Sequence, residues 1–194
     1  MRRRAFIAWA GSAAALWSLS ARAQPARKVH RVALIFPNAP VSDMAGPEPI
    51  NRYAKVFVHA LRDLGYVEGR NLILERRSAE GHYERFDAIV ADLAASKIDV
   101  IVGASNFLAE AAKRVTSTLP LVAAPLIAPA ETGIVASLAR PGGNITGFTN
   151  DVSPEIEGKR LQMLKEVAPA VTRIAFIGTK AEWERPHGAN VRAA

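Results

Sequence analysis

The sequence predicts an α/β fold: an open, mostly parallel sheet flanked by helices. Short apolar runs recur at 32–36, 72–74, 98–102 and 119–124, rich in Val, Ile and Leu, as in strands buried on both faces. Between them lie longer stretches with apolar residues at helical spacing. Turn residues stand at the joints, such as Gly65, Gly103 and the Pro141-Gly142-Gly143 run. A strand–helix alternation of this kind implies a parallel sheet with helices on both faces.

In chain order, Val29 to Phe36 reads as the first strand. A loop at 37–49, rich in proline and glycine, leads to a helix over Asn51 to Leu64, with Tyr53, Val56, Phe57, Ala60, Leu61 and Leu64 on one face and Gly65 closing it. Asn71 to Arg77 is a second strand, its Glu75-Arg76-Arg77 running out to a polar end. Tyr83 to Ser96 is a helix carrying Phe86, Ile89, Val90 and Leu93. Ile98 to Val102 is a third strand, followed by a tight turn and a helix to about Thr116. Leu119 to Ala124 is a fourth strand.

The stretch from Pro129 to Phe148 is the seam of the chain. Ile134, Val135, Leu138 and Ala139 have the spacing of one helix face, and Arg140 falls in the last turn before Pro141-Gly142-Gly143 stops it. Asn144 to Phe148 then reads as a strand. Beyond it come a helix over Pro154 to Val167, a strand over Thr172 to Ile177, a loop at 178–188 and a helix beginning at Ala189. The expected organisation is a leader at 1–23, an α/β lobe at 24–148, and a hinge helix with an incomplete second lobe at 149–194.

The leader reads as a signal peptide. Arg2-Arg3-Arg4 precedes an apolar stretch of 15 residues, Ala5 to Leu19, and Ala21-Arg22-Ala23 is a cleavage pattern that makes Gln24 the mature start. The apolar stretch is shorter than the roughly 20 residues a spanning helix needs, so no stable membrane insertion is expected after cleavage. General secretion and twin-arginine export both fit these letters. The net charge of +7 is partly local: without the four leader arginines, 21 basic residues face 18 acidic ones. No nucleic-acid partner is expected from so scattered a balance. The chain has no cysteine, so export would bring no disulfides.

In open α/β sheets ligands sit beyond the carboxyl ends of the strands, near the switch in strand order. That rule selects the loops at 37–46, 103–106 and 125–130. Ser105 and Asn106 open a helix whose free N–H groups suit an acidic ligand group, and either may equally be its N-cap. Gly142 and Gly143 fit neither phosphate-loop pattern and read as turn or hinge glycines. Asn144 suits a hinge bond to backbone or an ordinary turn. His30, His59, His82 and His187 lack metal-ligand spacing, and no cofactor is expected. Ser105 lacks a nucleophile-elbow context. Glu75, Glu80 and Glu84 fit either paired carboxylates or a solvated edge. Trp183 reads as a residue of an exposed loop, with stacking on a ligand from the second-lobe side as the alternative.

The chain resembles the substrate-binding proteins of ABC transporters, in a tryptophan-binding-like group with the type I periplasmic binding fold. The resemblance rests on LRDLGYVEGRNLILERRSAEGHYERFDAIVADL at 61–93, IDVIVGAS at 98–105, GIVASLARPGGNITGFT at 133–149, EIEGKRLQMLKEVAP at 155–169 and RIAFIG at 173–178. It implies two lobes with a small solute, such as an aromatic or branched-chain amino acid, held between them. It implies a partner permease, a periplasmic location and no enzymatic activity. Carried onto this sequence, Pro37, Asn38, Ala104, Ser105, Asn106, Ala128 and Pro129 form the first-lobe wall. Asn144 to Thr149, with Thr146 and Gly147, forms the first crossing between lobes. Most of the second lobe is missing, so a non-functional truncated fragment is one alternative and a secreted α/β enzyme another.

Overall fold

The computed structural model describes residues 28–151, 156–175, 177, 180–184 and 186–193. The leader, its cleavage site and Gln24 lie outside the described residues. Strand β1 (His30–Phe36) leads through a 3-10 turn at Val41–Met44 into α1 (Arg52–Asp63). Next come β2 (Leu72–Ser78), a 3-10 turn at Tyr83–Arg85 and α2 (Phe86–Ala95). Then follow β3 (Val100–Gly103), α3 (Asn106–Val115), β4 (Leu121–Ile127) and β5 (Ile145–Asp151). Helices α4 (Ile156–Val167), α5 (Lys180–Glu184) and α6 (Pro186–Ala193) complete the described chain.

The five strands form one sheet in the order β2-β1-β3-β4-β5, and every neighbouring pair is parallel. The chain moves from β1 outward to β2, then crosses back over β1 to β3. The direction of winding therefore reverses between β1 and β3. Side chains alternate between the two faces. Ala33, Ile35, Ile101, Leu121 and Ala123 pack on one side with Phe86, Val90 and Leu93 of α2 and Leu108 of α3. Val32, Leu34, Leu72 and Leu74 pack on the other with Ala54 and Val58 of α1 and Met44. Each large apolar side chain fully buried in this way contributes about 1.5–3 kcal/mol.

Polar contacts pin the turns to this core. The Asn51 side chain caps α1, accepting from the Tyr53 and Ala54 N–H groups at 3.0 and 3.1 Å. Arg76 donates to Glu68 through two bonds of 2.8 Å and to the Met44 carbonyl at 2.7 Å. Glu75, Arg76 and Arg77 form the polar end of β2, as the sequence predicts. Asp99 accepts from the Arg31 N–H at 2.8 Å, which ties the start of β3 to β1.

Several expected elements differ. No helix forms at 129–140. A tight turn takes its place: the N–H groups of Ile134 and Val135 both donate to the Pro129 carbonyl, and Gly133 sits at φ +69°. Ile134 and Val135 are buried in this turn, while Leu138 is 51% exposed. Residues 172–175 and 177 form no strand, because none of the described residues supplies a partner ladder for their backbone groups. The expected loop at 178–188 instead contains α5 and the start of α6, with Pro186 at the first position of its helix. The helix expected from Tyr83 begins with a 3-10 turn. On α1 the buried residues are Ala54 and Val58, with Phe57 and Leu61 half-buried. Tyr53, Val56 and Leu64, expected on the core face, are 62%, 70% and 74% exposed. The apolar arc of α1 is wider than the sheet contact it makes.

Gly103 is required by close approach. A Cβ there would lie 2.7 Å from the Ile35 carbonyl oxygen and 2.5 Å from a Leu108 methyl. Gly103→Ala is expected to destabilise the fold by about 2 kcal/mol, read from the urea midpoint, because a backbone atom cannot step aside as a side chain can. Asp99 provides a pH signature. The Arg31 N–H bond, aided by Lys28, holds its carboxyl below the ordinary range. A depressed folded pKa stabilises above the unfolded value, and that stability is lost as pH falls through the folded value. Asp99→Asn should therefore lower Tm at neutral pH and flatten the loss of Tm below about pH 4.

Candidate functional site

Parallel strands deliver their carboxyl ends to one edge of the sheet. The register aligns Phe36 with Ser78, Ile35 with Gly103, Gly103 with Ala123, and Ala123 with Gly147. The turns at 37–40, 79–82, 104–106 and 125–129 all leave from this edge. The first and third flank the reversal between β1 and β3, where an open α/β sheet forms its crevice.

These turns are bonded to one another. The Gly81 N–H donates to the Pro37 carbonyl at 2.8 Å, and the Ala79 N–H to the Phe36 carbonyl at 3.1 Å. A Cβ on Gly81 would lie 3.9 Å from the Asn38 side-chain oxygen. On the other side, Asn106 clamps the β4 tip. Its Nδ2 donates to the Ile127 carbonyl at 2.7 Å and its Oδ1 accepts from the Ile127 N–H at 2.9 Å. The Asn106 side chain is therefore occupied as a fastener. The cap of α3 is Ser105, whose hydroxyl accepts from the Phe107 N–H at 3.2 Å.

Of the sequence-predicted wall, Pro37, Ala104, Ser105 and Asn106 are half-buried and Asn38 is exposed. Ala128 and Pro129 are buried. Their carbonyls hold the following turn: Ala128 accepts from Thr132, and Pro129 from Ile134 and Val135. The β4 tip presents Pro125 and Ile127 to solvent in their place. Ser105 and Ala128 both have positive φ, +99° and +41°. Strained backbone of this kind persists only where the surroundings hold it, and here the Asn106 clamp lies between the two.

The proposed hinge residues have distinct roles. Gly142 sits at φ +79°, while a Cβ on Gly143 would meet nothing within 4 Å. Asn144 donates to the Thr116 and Leu119 carbonyls at 3.3 and 2.7 Å. Thr146 is exposed on β5. A Cβ on Gly147, at φ +155°, would come 1.7 Å from the Ala123 carbonyl oxygen, so β5 could not pair with β4.

A stacked aromatic pair lies beside the rim and was not found from the sequence. Tyr83, just past the β2 turn, stacks on Phe107 at the start of α3, with centroids 4.5 Å apart and planes at 18°. Both rings are half-buried. The only sequence signal is that each aromatic follows a strand tip by a few residues. Near this edge Glu80 pairs with Arg85 at 2.8 Å, and a Glu84 carboxylate oxygen lies 3.3 Å from the His82 ring nitrogen. The carboxyl of Glu84 is held below its ordinary range, first by its own backbone N–H and then by His82. Glu75 pairs with Arg31 and Arg77. Among the described residues no cluster of His, Asp and Glu could hold a metal ion, and no helix is long and apolar enough to cross a membrane. Trp183 carries the Arg192 guanidinium over its ring at 4.7 Å.

The model of the family described as ABC transporter substrate binding protein matches residues 48–185, more than half of the chain. The chain belongs to the ABC transporter substrate-binding proteins. A relative named tyrosine-binding protein, from Clostridioides difficile (strain R20291), is 28% identical over 145 residues, covering 75% of this chain and 41% of that protein. The ligand-free, open structure of a substrate-binding protein with adhesive properties from Clostridium difficile is 27% identical, with a TM-score of 0.56, covering 73% of this chain and 44% of that one. A conserved domain protein from Vibrio cholerae superposes with a TM-score of 0.65 at 23% identity, over 86% of this chain and 52% of that one. An ABC domain in complex with L-Trp from Streptococcus pneumonia gives 0.63 at 18% identity, over 86% and 54%. The chain thus spans about half the length of the relatives it matches. The fold is that of the periplasmic binding proteins, one α/β lobe followed by a helical segment.

Ser105 separates capping from strain. Ser105→Ala loses the cap and keeps the positive φ, and is expected to cost about 1–2 kcal/mol in chemical denaturation. Ser105→Gly loses the same hydroxyl but accepts the backbone angle freely, and should be at least as stable as the native chain.

Proposed function

We propose that this chain forms the first wall of a solute site in an exported ABC importer component, and that its solute is an amino acid with an aromatic side chain. The observation that carries this reading is the stacked Tyr83–Phe107 pair beside the turns at 37–38 and 104–106. An aromatic solute could extend that stack, while the start of α3 offers backbone N–H groups to a carboxylate. The names of the tyrosine-binding relative and of the L-Trp complex point in the same direction.

The mechanism is closure of two lobes over the solute. The residues at 142–147 lie where the chain leaves the first lobe, and they are the proposed hinge. A solute shifts the open–closed balance only through its better contacts in the closed form. A single lobe therefore binds more weakly than a closed pair. In this reading residues 1–23 direct export and are removed after Ala23, the protein works in the periplasm, a permease receives the loaded form, and no reaction is catalysed. The first lobe is 24–148 and the second begins at 149. A second reading, in which 149–194 is a fragment of a larger lobe and closes on nothing, is favoured by Val167 and Ile177, 84% and 94% exposed.

NMR titration of the chain with L-Tyr, L-Trp, L-Phe, L-Leu and L-Ile tests the proposal. Aromatic amino acids should shift the amides of Asn38, Tyr83 and 104–107, and Tyr83→Ala should weaken this about tenfold. Shifts at those amides from Leu and Ile alone would sink the aromatic reading. No shifts from any of the five would favour the fragment.

A further inference from the structure

One charged side chain stands among apolar ones on the α1 face of the sheet. β2 is an edge strand, and Arg76 pairs in register with Leu34. By alternation Leu72, Leu74 and Arg76 point to the same side, where both leucines pack with Leu34, Met44 and α1. The Arg76 side chain is 10% exposed. A charge so covered needs partners. A guanidinium carries five N–H donors in one plane, and those of Arg76 meet five acceptors. Its Nε donates to the Met44 carbonyl at 2.7 Å. One terminal nitrogen donates to Glu68 Oε1 at 2.8 Å and to the Leu74 carbonyl at 3.0 Å. The other donates to Glu68 Oε2 at 2.8 Å and to the Gly46 carbonyl at 3.4 Å. Arg76 thus joins three stretches of chain: the loop after β1, the turn after α1, and β2 itself.

Of these three, the loop is the one that reaches the candidate site. It leaves β1 at the strand-end edge and includes Pro37 and Asn38. Its start is fastened by the Gly81 N–H, which donates to the Pro37 carbonyl at 2.8 Å. Its other end is fastened at Met44, by the buried side chain and by Arg76. Between them the backbone bonds are local: the Asp43 N–H donates to the Pro40 carbonyl, and the Ala45 N–H to the Ser42 carbonyl. Asn38, Pro40, Val41 and Ser42 are exposed. The arc at 38–42 therefore takes its position from its two ends more than from packing of its own.

We infer that Arg76 is a positioning residue of the solute site, holding the arc at 38–42 in place through the Met44 and Gly46 carbonyls. The inference rests on the reading of the turn at 37–38 as part of the first wall. All five donors of Arg76 are occupied, so none is left for a solute, and its effect passes through the loop. A loop ordered in advance costs less to order on binding. Released from Arg76, the arc would be ordered at the expense of solute affinity. Glu68 separates this role from plain stability. It takes two of the five donors, yet it lies in the turn after α1 and not in the loop. Glu68→Gln weakens that tie and leaves the bonds to Met44 and Gly46 in place.

The test uses the full chain, with melting curves and NMR titrations against L-Tyr and L-Trp. Arg76→Met keeps a stem of similar length and no donor. It should weaken binding about tenfold, with the Asn38 amide losing its shift while those of 104–107 keep theirs. Arg76→Lys keeps the charge beside Glu68 but replaces the planar fork with a single ammonium. It should fold closer to the native melting curve and still weaken binding several-fold. Glu68→Gln should lower Tm and leave affinity within about twofold. Arg76 variants that bind as tightly as the parent overturn the inference. So do losses of affinity that follow Tm equally in Arg76→Met and Glu68→Gln, since Arg76 would then serve stability alone. A parent chain in which neither amino acid shifts the amides of Asn38, Tyr83 and 104–107 would instead sink the reading of the wall, and this inference with it.

Discussion

The fold depends on one close approach. Gly103 lets the start of α3 press against the end of β1, with the Ile35 carbonyl where any side chain would sit. That contact places Ser105 and Asn106 at the reversal point of the sheet. Asn106 then reaches the backbone of Ile127 and fixes the tip of β4. The candidate rim is thus a consequence of backbone packing carried outward by one side-chain clamp.

The same economy explains the strained angles. Ser105 and Ala128 hold positive φ without being glycine, on either side of the Asn106 clamp. The bonds made by Asn106 and the burial of Ala128 hold the backbone where an isolated turn would relax. Beside this rigid rim, the crossing at 142–147 has one glycine demanded by packing and another that nothing crowds. Rigidity and freedom stand next to each other, which suits the closure about a hinge proposed above.

Much of the fold was legible because strands buried on both faces read as unbroken apolar runs. All five strands of the sheet were anticipated, with ends displaced by a few residues. The failures share a cause. The spacing of Ile134, Val135, Leu138 and Ala139 is helical, yet Gly133 and two prolines confine the segment to a turn. Residues 172–177 have strand composition, but a strand exists only with a partner. The arc of α1 was read as one core face, although its residues divide between the sheet contact and an open flank. At the site, topology selected the strand-end edge where these turns gather. It did not reveal that Ala128 and Pro129 turn inward, nor that Tyr83 and Phe107 meet.

By itself the sequence determined the alternation of strand and helix, the edge at which the strands end, and the family likeness, because local apolar periodicity and turn residues encode them directly. Only the tertiary structure decided which side chains reach that edge, which carboxylates are paired, and which apolar surface stays uncovered. These depend on distances between residues far apart in the chain, and no local pattern records them.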